Sequence, residues 1–450
     1  MNPHTASRRI SRPLLLLVLG LLASLIAAGP AARAAPAQQD VAEALARASR
    51  PLASTGPYGP SADLRPFGRM VGTAKIVGLG EATHGSSEFF MMKHRVFRYL
   101  VEEKGFTTFA LEANWSAGLR LNDYVLHGKG DPEQIMREEF QNSYAVWNTR
   151  EYLDLVTWMR GHNLHHRHKV QFMGNDIGLA GPELFDKVTA YTATHYPKLL
   201  PEIEDLYRDS RPKGSVDDAM KAYLYKPLDE RRRMAADVNR ALALLERQQP
   251  GPDREEHAWV LQHSRVIAQV GTEYGYDLFD PAEIPQAMRY RDRVMAENTV
   301  WWQRQTGHRM LLSAHDGHIA YESGDPANYP TSQGAFLRDM VGDDYLTAGF
   351  TFGQGSFNAN DMTDPAEPVR VFSVGPSEPG SNEHTLNAVS PGDYYLDLRT
   401  TPAPARAWLA EPRPTRFIGT AWPTEPLPVR LAPSFDVLFH LHRITAADLL

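Results

Sequence analysis

Apolar residues fall along this chain in two alternating rhythms. Short β-branched or aliphatic runs at 75–79, 107–111 and 169–173 have the length of buried strands, and each gives way to glycine or to an acidic residue. Around them, 89–102, 115–126 and 149–160 carry apolar residues at i, i+3 and i+4, the period of a helix with one buried face. A helix at 40–50 comes before a Pro/Gly-rich linker at 51–66, and another helix is predicted at 285–305. Later strands are predicted at 309–313, 345–352, 394–398 and 435–440. Strand alternating with helix predicts an α/β fold with a mostly parallel central sheet flanked by helices. In such sheets ligands bind just beyond the C-terminal strand ends, where the polar residues of this chain cluster.

The middle of the chain breaks the rhythm. From 182 to 286 strand signals fade, and 216–249 and 253–271 read as helices. The predicted organisation is therefore an α/β core from 35–181 and 287–450, with 182–286 as a mostly helical insertion forming a lid over the cleft. No Glu/His cluster follows a strand there, so the lid is expected to shape substrate choice and to supply no hydrolytic residue. The proline-rich passage 401–433 reads as irregular surface. No internal repeat is visible.

Residues 1–34 read as a signal peptide. Arg8, Arg9 and Arg12 precede an apolar run of 15 residues at 14–28, and Ala32-Arg33-Ala34 offers a small-x-small cleavage site. The run would barely span a bilayer, and the alternative is an uncleaved N-terminal anchor. The Ser-Arg-Arg start also leaves twin-arginine export open. Cleavage would remove four arginines and no acid, taking the net charge from -7 to about -11. So acidic a domain, with no basic stripe, is not expected to bind nucleic acid, and its contact with membrane is expected only during export. The chain has no cysteine, which excludes a thiol nucleophile, thiolate metal ligands and disulfides.

Chemistry concentrates in a few short segments. Gly78-Leu79-Gly80-Glu81-Ala82-Thr83-His84-Gly85 ends a strand and presents a carboxylate and an imidazole on one turn. A carboxylate beside an imidazole fixes its tautomer and raises its basicity, as a general base requires. The plain alternative is a helix cap and a turn histidine. Glu112 follows the second strand, Asp176 closes the Gly174-Asn175-Asp176 turn, and His315 and His318 follow the strand at 309–313. These groups converge on one edge of one predicted sheet. Lys93, nine positions after His84, and Arg291, before the last of those strands, are candidates to polarise a carbonyl or to balance the carboxylates; an exposed ion pair is the commoner fate of such residues. The chain has no Gly-x-Ser-x-Gly elbow and no HExxH, P-loop or GxGxxG. The run His162, His165, His166, His168 reads as a solvated loop, and His440 and His442 as structural.

Together GEATHGSSEFFMMKHR, FALEANWS, GND, RDRVMAEN, SAHDGHIA and DVLFHLHR resemble the erythromycin esterase family, in the family's order over roughly residues 70–445. The resemblance implies a helical lid over a deep cleft and water-mediated ester hydrolysis without a cofactor. His84 would be the general base, Glu81 its companion acid, and Glu112 and His315 further members of the catalytic set. Lys93, Arg291, His318 and Asp176 would contact substrate. Lys93 replaces the family's usual arginine, losing its bidentate fork. Asp316 replaces the asparagine of many relatives and is expected to make the site more acidic. With the leader, the picture is a secreted hydrolase of an extracellular ester or lactone, related to macrolide-resistance enzymes. Two alternatives stay open: a metal-dependent hydrolase using the same Glu/His set, and an exported protein that binds haem or another small ligand without catalysis.

Overall fold

The apolar runs pair into one ten-stranded sheet in the computed structural model, which describes residues 38–450. The predicted leader, 1–34, lies outside the described residues. The strands are β1 (Arg50–Pro51), β2 (Ile76–Leu79), β3 (Phe106–Asn114), β4 (Gln171–Asp176), β5 (Arg309–Ser313), β6 (Tyr345–Asp361), β7 (Val369–Val374) and β8 (Tyr394–Asp397). They continue with β9 (Arg413–Thr415), β10 (Ala421–Trp422), β11 (Leu427–Val429) and β12 (Val437–Ile444). The path through the main sheet is β1-β8-β12-β6-β2-β5-β3-β4, with β7 and β10 also on β6, while β9 and β11 form a separate pair. From β12 to β4 every neighbouring pair is parallel, whereas β1, β7 and β8 join antiparallel.

Both faces of the sheet are covered, and this explains the continuous apolar runs. Ile76, Met310 and Leu312 pack into one core cluster, while Val77 and Leu311, alternate along the same strands, pack into the other. The helix Ser87–Lys104 buries Phe89, Met92, Val96 and Leu100 at helical spacing and stops at Gly105, whose φ of 69° is a left-handed end that favours glycine. Among the described residues no helix is long and apolar enough to cross a membrane.

Two expectations change. The predicted helix at 216–249 is two helices, Val216–Leu224 and Leu228–Glu246, because Pro227 forces an extended backbone and lacks the N–H that a continuous helix needs. The passage 401–433 is not irregular surface. It holds the helix Ala403–Leu409 and strands β9 to β11, and its buried Phe417 and Ile418 pack inward. Between β4 and β5 the described chain runs only through helices, from Pro182–His195 to Ile284–Thr306.

Candidate active site

Register brings the polar segments together. Leu79 of β2 and Leu111 of β3 both pair with Ser313 of β5, and Asn114 pairs with Asp176 of β4. The C-terminal ends of four adjacent strands, β2-β5-β3-β4, therefore present Glu81 and His84, His315 and His318, Glu112, and Asp176 along one sheet edge. Strand β3 runs past the predicted 107–111, so Glu112 lies on the strand rather than after it, where the pairing with β4 shifts register. Gly80 must be glycine: a Cβ there would lie 1.8 Å from Asp316 Oδ1.

Glu81 is fully buried and sits between two partners. Its Oε1 lies 2.5 Å from His84 Nδ1, and its Oε2 accepts from Lys93 Nζ. Burial alone would raise the carboxyl; the Lys93 ammonium and the His84 hydrogen bond outweigh it and hold Glu81 below the ordinary carboxylate value. An ionised Glu81 accepts Nδ1–H, which leaves Nε2 of His84 as the basic atom. No protein group occupies Nε2 among the described residues, and His84 lines a cavity of about 490 Å³.

Beside it, His315 has its ring centroid 5.0 Å from that of His84. Burial and the His84 ring push its pKa down to about 3, so it is neutral. Its Nδ1 accepts from the Gly317 N–H at 3.1 Å, which assigns the proton to Nε2, a buried donor with no protein partner. His318 is the opposite case. Burial would lower its pKa, but the Asp292 and Glu112 carboxylates raise it to about 9. The resulting cation donates from Nδ1 to Asp292 at 2.7 Å and forms an ion pair with Glu112, whose Oε1 lies 3.2 Å from Nε2.

Glu112 also accepts from the His315 backbone N–H at 2.9 Å and from Arg291 Nη2 at 3.2 Å. Burial acts against its ionisation, yet His318, His84 and Arg291 hold its carboxyl well below the usual range. Arg291 grips Asp176 with Nε and Nη2, and Tyr144 donates to the same carboxylate at 2.8 Å. Arg291 Nη1 is left 3.3 Å from His318 Nε2, a contact between two donors when His318 is charged, and in that state Nη1 has no acceptor of its own among the described residues.

The eight predicted site residues thus form one connected network, in two layers. His84, Glu112, His315, His318 and Arg291 line the cavity, whereas Glu81, Lys93 and Asp176 lie behind its wall. The structure therefore corrects the expected substrate contacts of Lys93 and Asp176. Both side chains are fully buried, the ammonium committed to Glu81 and the carboxylate to Arg291. Nor is Lys93 an exposed ion pair. Asp316 does not make the site more acidic, because it turns into the sheet to accept from the Phe350 N–H at 3.1 Å and burial pushes its carboxyl well above the ordinary range. Ser86 holds the N-cap position, but its hydroxyl donates to Glu88 rather than capping a backbone N–H.

Sequence reasoning missed several cavity residues. Trp147 packs its ring edgewise on His84 at 5.1 Å, and Phe417 does the same on His315 at 5.4 Å. Glu273 enters the cavity from the helix Arg254–Tyr274. A signal for it existed: Val266, Val270 and Glu273 share one helical face, so an acid stands on a buried stripe. The run His162 to His168 ends a helix, its last three histidines exposed, and His440 is buried between Thr351 and Asn387.

A family model described as erythromycin esterase matches residues 101–444, starting after the Glu81/His84 turn. Erythromycin esterase type II of Escherichia coli is 24% identical over 407 residues, covering 86% of this chain and 93% of that one. A crystal structure of a Bacillus cereus protein superposes with a TM-score of 0.83 at 29% identity, over 92% of this chain and 99% of that one. The open conformation of a mutant of the erythromycin esterase EreC gives a TM-score of 0.68 at 16% identity, over 88% and 96% of the two chains, and shares the fold.

Proposed function

The chain belongs to the erythromycin esterase family and is a hydrolase; from that premise we propose that it cleaves an ester or macrolactone with water activated by His84. The observation that carries this reading is the position of His84, with Nδ1 held 2.5 Å from a buried carboxylate and Nε2 facing an open cavity. Nε2 takes a proton from water as the water oxygen attacks the carbonyl carbon. The Nε2–H of neutral His315 and the unshared Nη1 of Arg291 supply donors for the oxyanion that forms. Glu112 and Asp292 keep His318 in place as a cation, and Asp176 fixes the guanidinium of Arg291. The helical segment 182–286, which contributes Met220, Glu273 and Leu278 to the cavity, acts as the lid that selects substrate.

The Glu/His set is not arranged as a ligand cage. Glu81 is shared by Lys93 and His84, Glu112 by Arg291 and His318, and among the described residues no three His, Asp or Glu side chains could hold a metal ion. The direct-water reading needs no more than the groups present.

A panel of aryl esters, alkyl esters and macrolactones, erythromycin included, tests the reading. Turnover of at least one, releasing the free acid, is expected; no turnover of any would overturn it. Export belongs to the same proposal. Sequencing the mature N-terminus from secreted material is expected to begin near Ala35, and an intact Met1 on membrane-bound protein would contradict it.

A further inference from the structure

His84 takes the proton of the attacking water at the sheet edge, and an alkoxide expelled from the tetrahedral intermediate also needs a proton. The cavity wall contributed by the helix Arg254–Tyr274 carries one carboxyl, Glu273. It is 7% exposed, and its Oε2 is buried without a hydrogen-bond partner. The charged and titratable groups around it are Arg291, Asp176, Asp292, Tyr144, Tyr274 and Tyr290. Arg291 attracts its charged form but makes no hydrogen bond to it, because that guanidinium is gripped by Asp176 and Glu112. Among the described carboxyls that line the cavity, Glu112 and Asp325 have their oxygens in hydrogen bonds, whereas Glu273 has none from a side chain or backbone to its Oε2.

On the reading that the chain hydrolyses esters, we propose that Glu273 is the acid that protonates the departing alcohol oxygen. Burial outweighs the lowering pull of Arg291 and, with Asp176 and Asp292 nearby, pushes its pKa up to about 8, so at neutral pH it carries the proton it must give. Water loses one proton to His84 and its oxygen bonds to the carbonyl carbon. The carbon–oxygen bond to the alcohol breaks as Glu273 donates its proton, leaving a carboxylate and a protonated His84. One proton then passes through solvent from the imidazolium to the carboxylate, and the net change is ester plus water to acid plus alcohol. The helical segment thus supplies chemistry as well as selection, which the sequence did not foretell.

The test compares wild type and Glu273→Gln on an alkyl ester and a p-nitrophenyl ester of the same acid. An alkoxide cannot leave without a proton, whereas p-nitrophenolate can. The expected result is a loss in kcat of about 10²-fold or more on the alkyl ester, with near wild-type turnover of the aryl ester. The wild-type rate on the alkyl ester should fall as pH rises through about 8. An equal loss on both esters, or an alkyl-ester rate left intact, would overturn the proposal. Thermal unfolding guards against misfolding. A carboxyl with a folded pKa of about 8 and an ordinary value of 4.5 gives stability that is lost as pH rises between them, so Gln should be at least as stable as Glu at pH 9. A less stable variant would contradict the assignment. If wild type turns over neither ester, the hydrolase reading itself fails and the acid with it.

Discussion

His84→Ala is expected to lower kcat for ester hydrolysis by at least about 10²- to 10⁴-fold, the contribution of a positioned proton transfer, with KM little changed. The geometry makes the loss specific. His84 Nδ1 is tied to Glu81, and Nε2 is the basic atom that faces the cavity next to His315. Alanine removes that atom without stranding Glu81, which keeps the Lys93 ammonium. The fold should therefore survive, and circular dichroism with steady-state kinetics checks both halves. Ser86→Ala is the contrast. Ser86 is buried beside the turn, yet its hydroxyl only reaches Glu88 at 3.3 Å, so kcat should stay near wild type. A His84→Ala enzyme of near-normal kcat, or a Ser86→Ala enzyme as inactive as His84→Ala, would contradict the assignment.

Lys93→Met carries the largest expected cost in stability. Lys93 and Glu81 are both fully buried, and removing one partner leaves an uncompensated charge in the core, which typically costs about 3–5 kcal/mol. Glu81 must then take up a proton, and a neutral carboxylic acid no longer fixes the tautomer of His84, so kcat should fall as well. The sign of the pH dependence follows from the native pair. Its carboxyl is held below the ordinary 4.5, so the stability it gives is present above that pH and is lost as pH falls through the folded value. The gap between wild type and variant should be widest near neutrality and should shrink in acid. Lys93→Arg keeps the charge and should recover most of both losses. Urea unfolding at pH 7 and pH 4 measures it; a neutral-pH difference below about 1 kcal/mol would show that the pair does not hold the site.

Much of this architecture was legible because its determinants are local. Strands buried on both faces read as continuous apolar runs, and β2, β3, β4 and β5 lie within a few residues of 75–79, 107–111, 169–173 and 309–313. Each carries the polar group it positions at or just past its C-terminal end, so Glu81, His84, Glu112, His315 and His318 could be gathered from strand ends alone. What sequence could not give was depth. Lys93 and Arg291 are both helix cations, yet one lies behind the wall and the other in the cavity, and only packing decides which. The direction of Asp316 depended on Phe350, 34 residues away on β6. Glu273 was overlooked because its partners come from distant segments. Strands β9 to β11 have two or three residues each, too short to show any period, so Phe417 went unnoticed with them.

In the proposed mechanism water, not a side chain, attacks the carbonyl. Of the hydroxyls nearest His84 in sequence, Thr83 accepts from the Gly85 N–H at 3.3 Å and Ser86 donates to Glu88. Intact-protein mass spectrometry of wild type, acid-quenched during turnover of an aryl ester, tests this most directly. Direct attack by water leaves the unmodified mass at every time point, with product acid forming and no burst. An added acyl mass on any serine or threonine would contradict it.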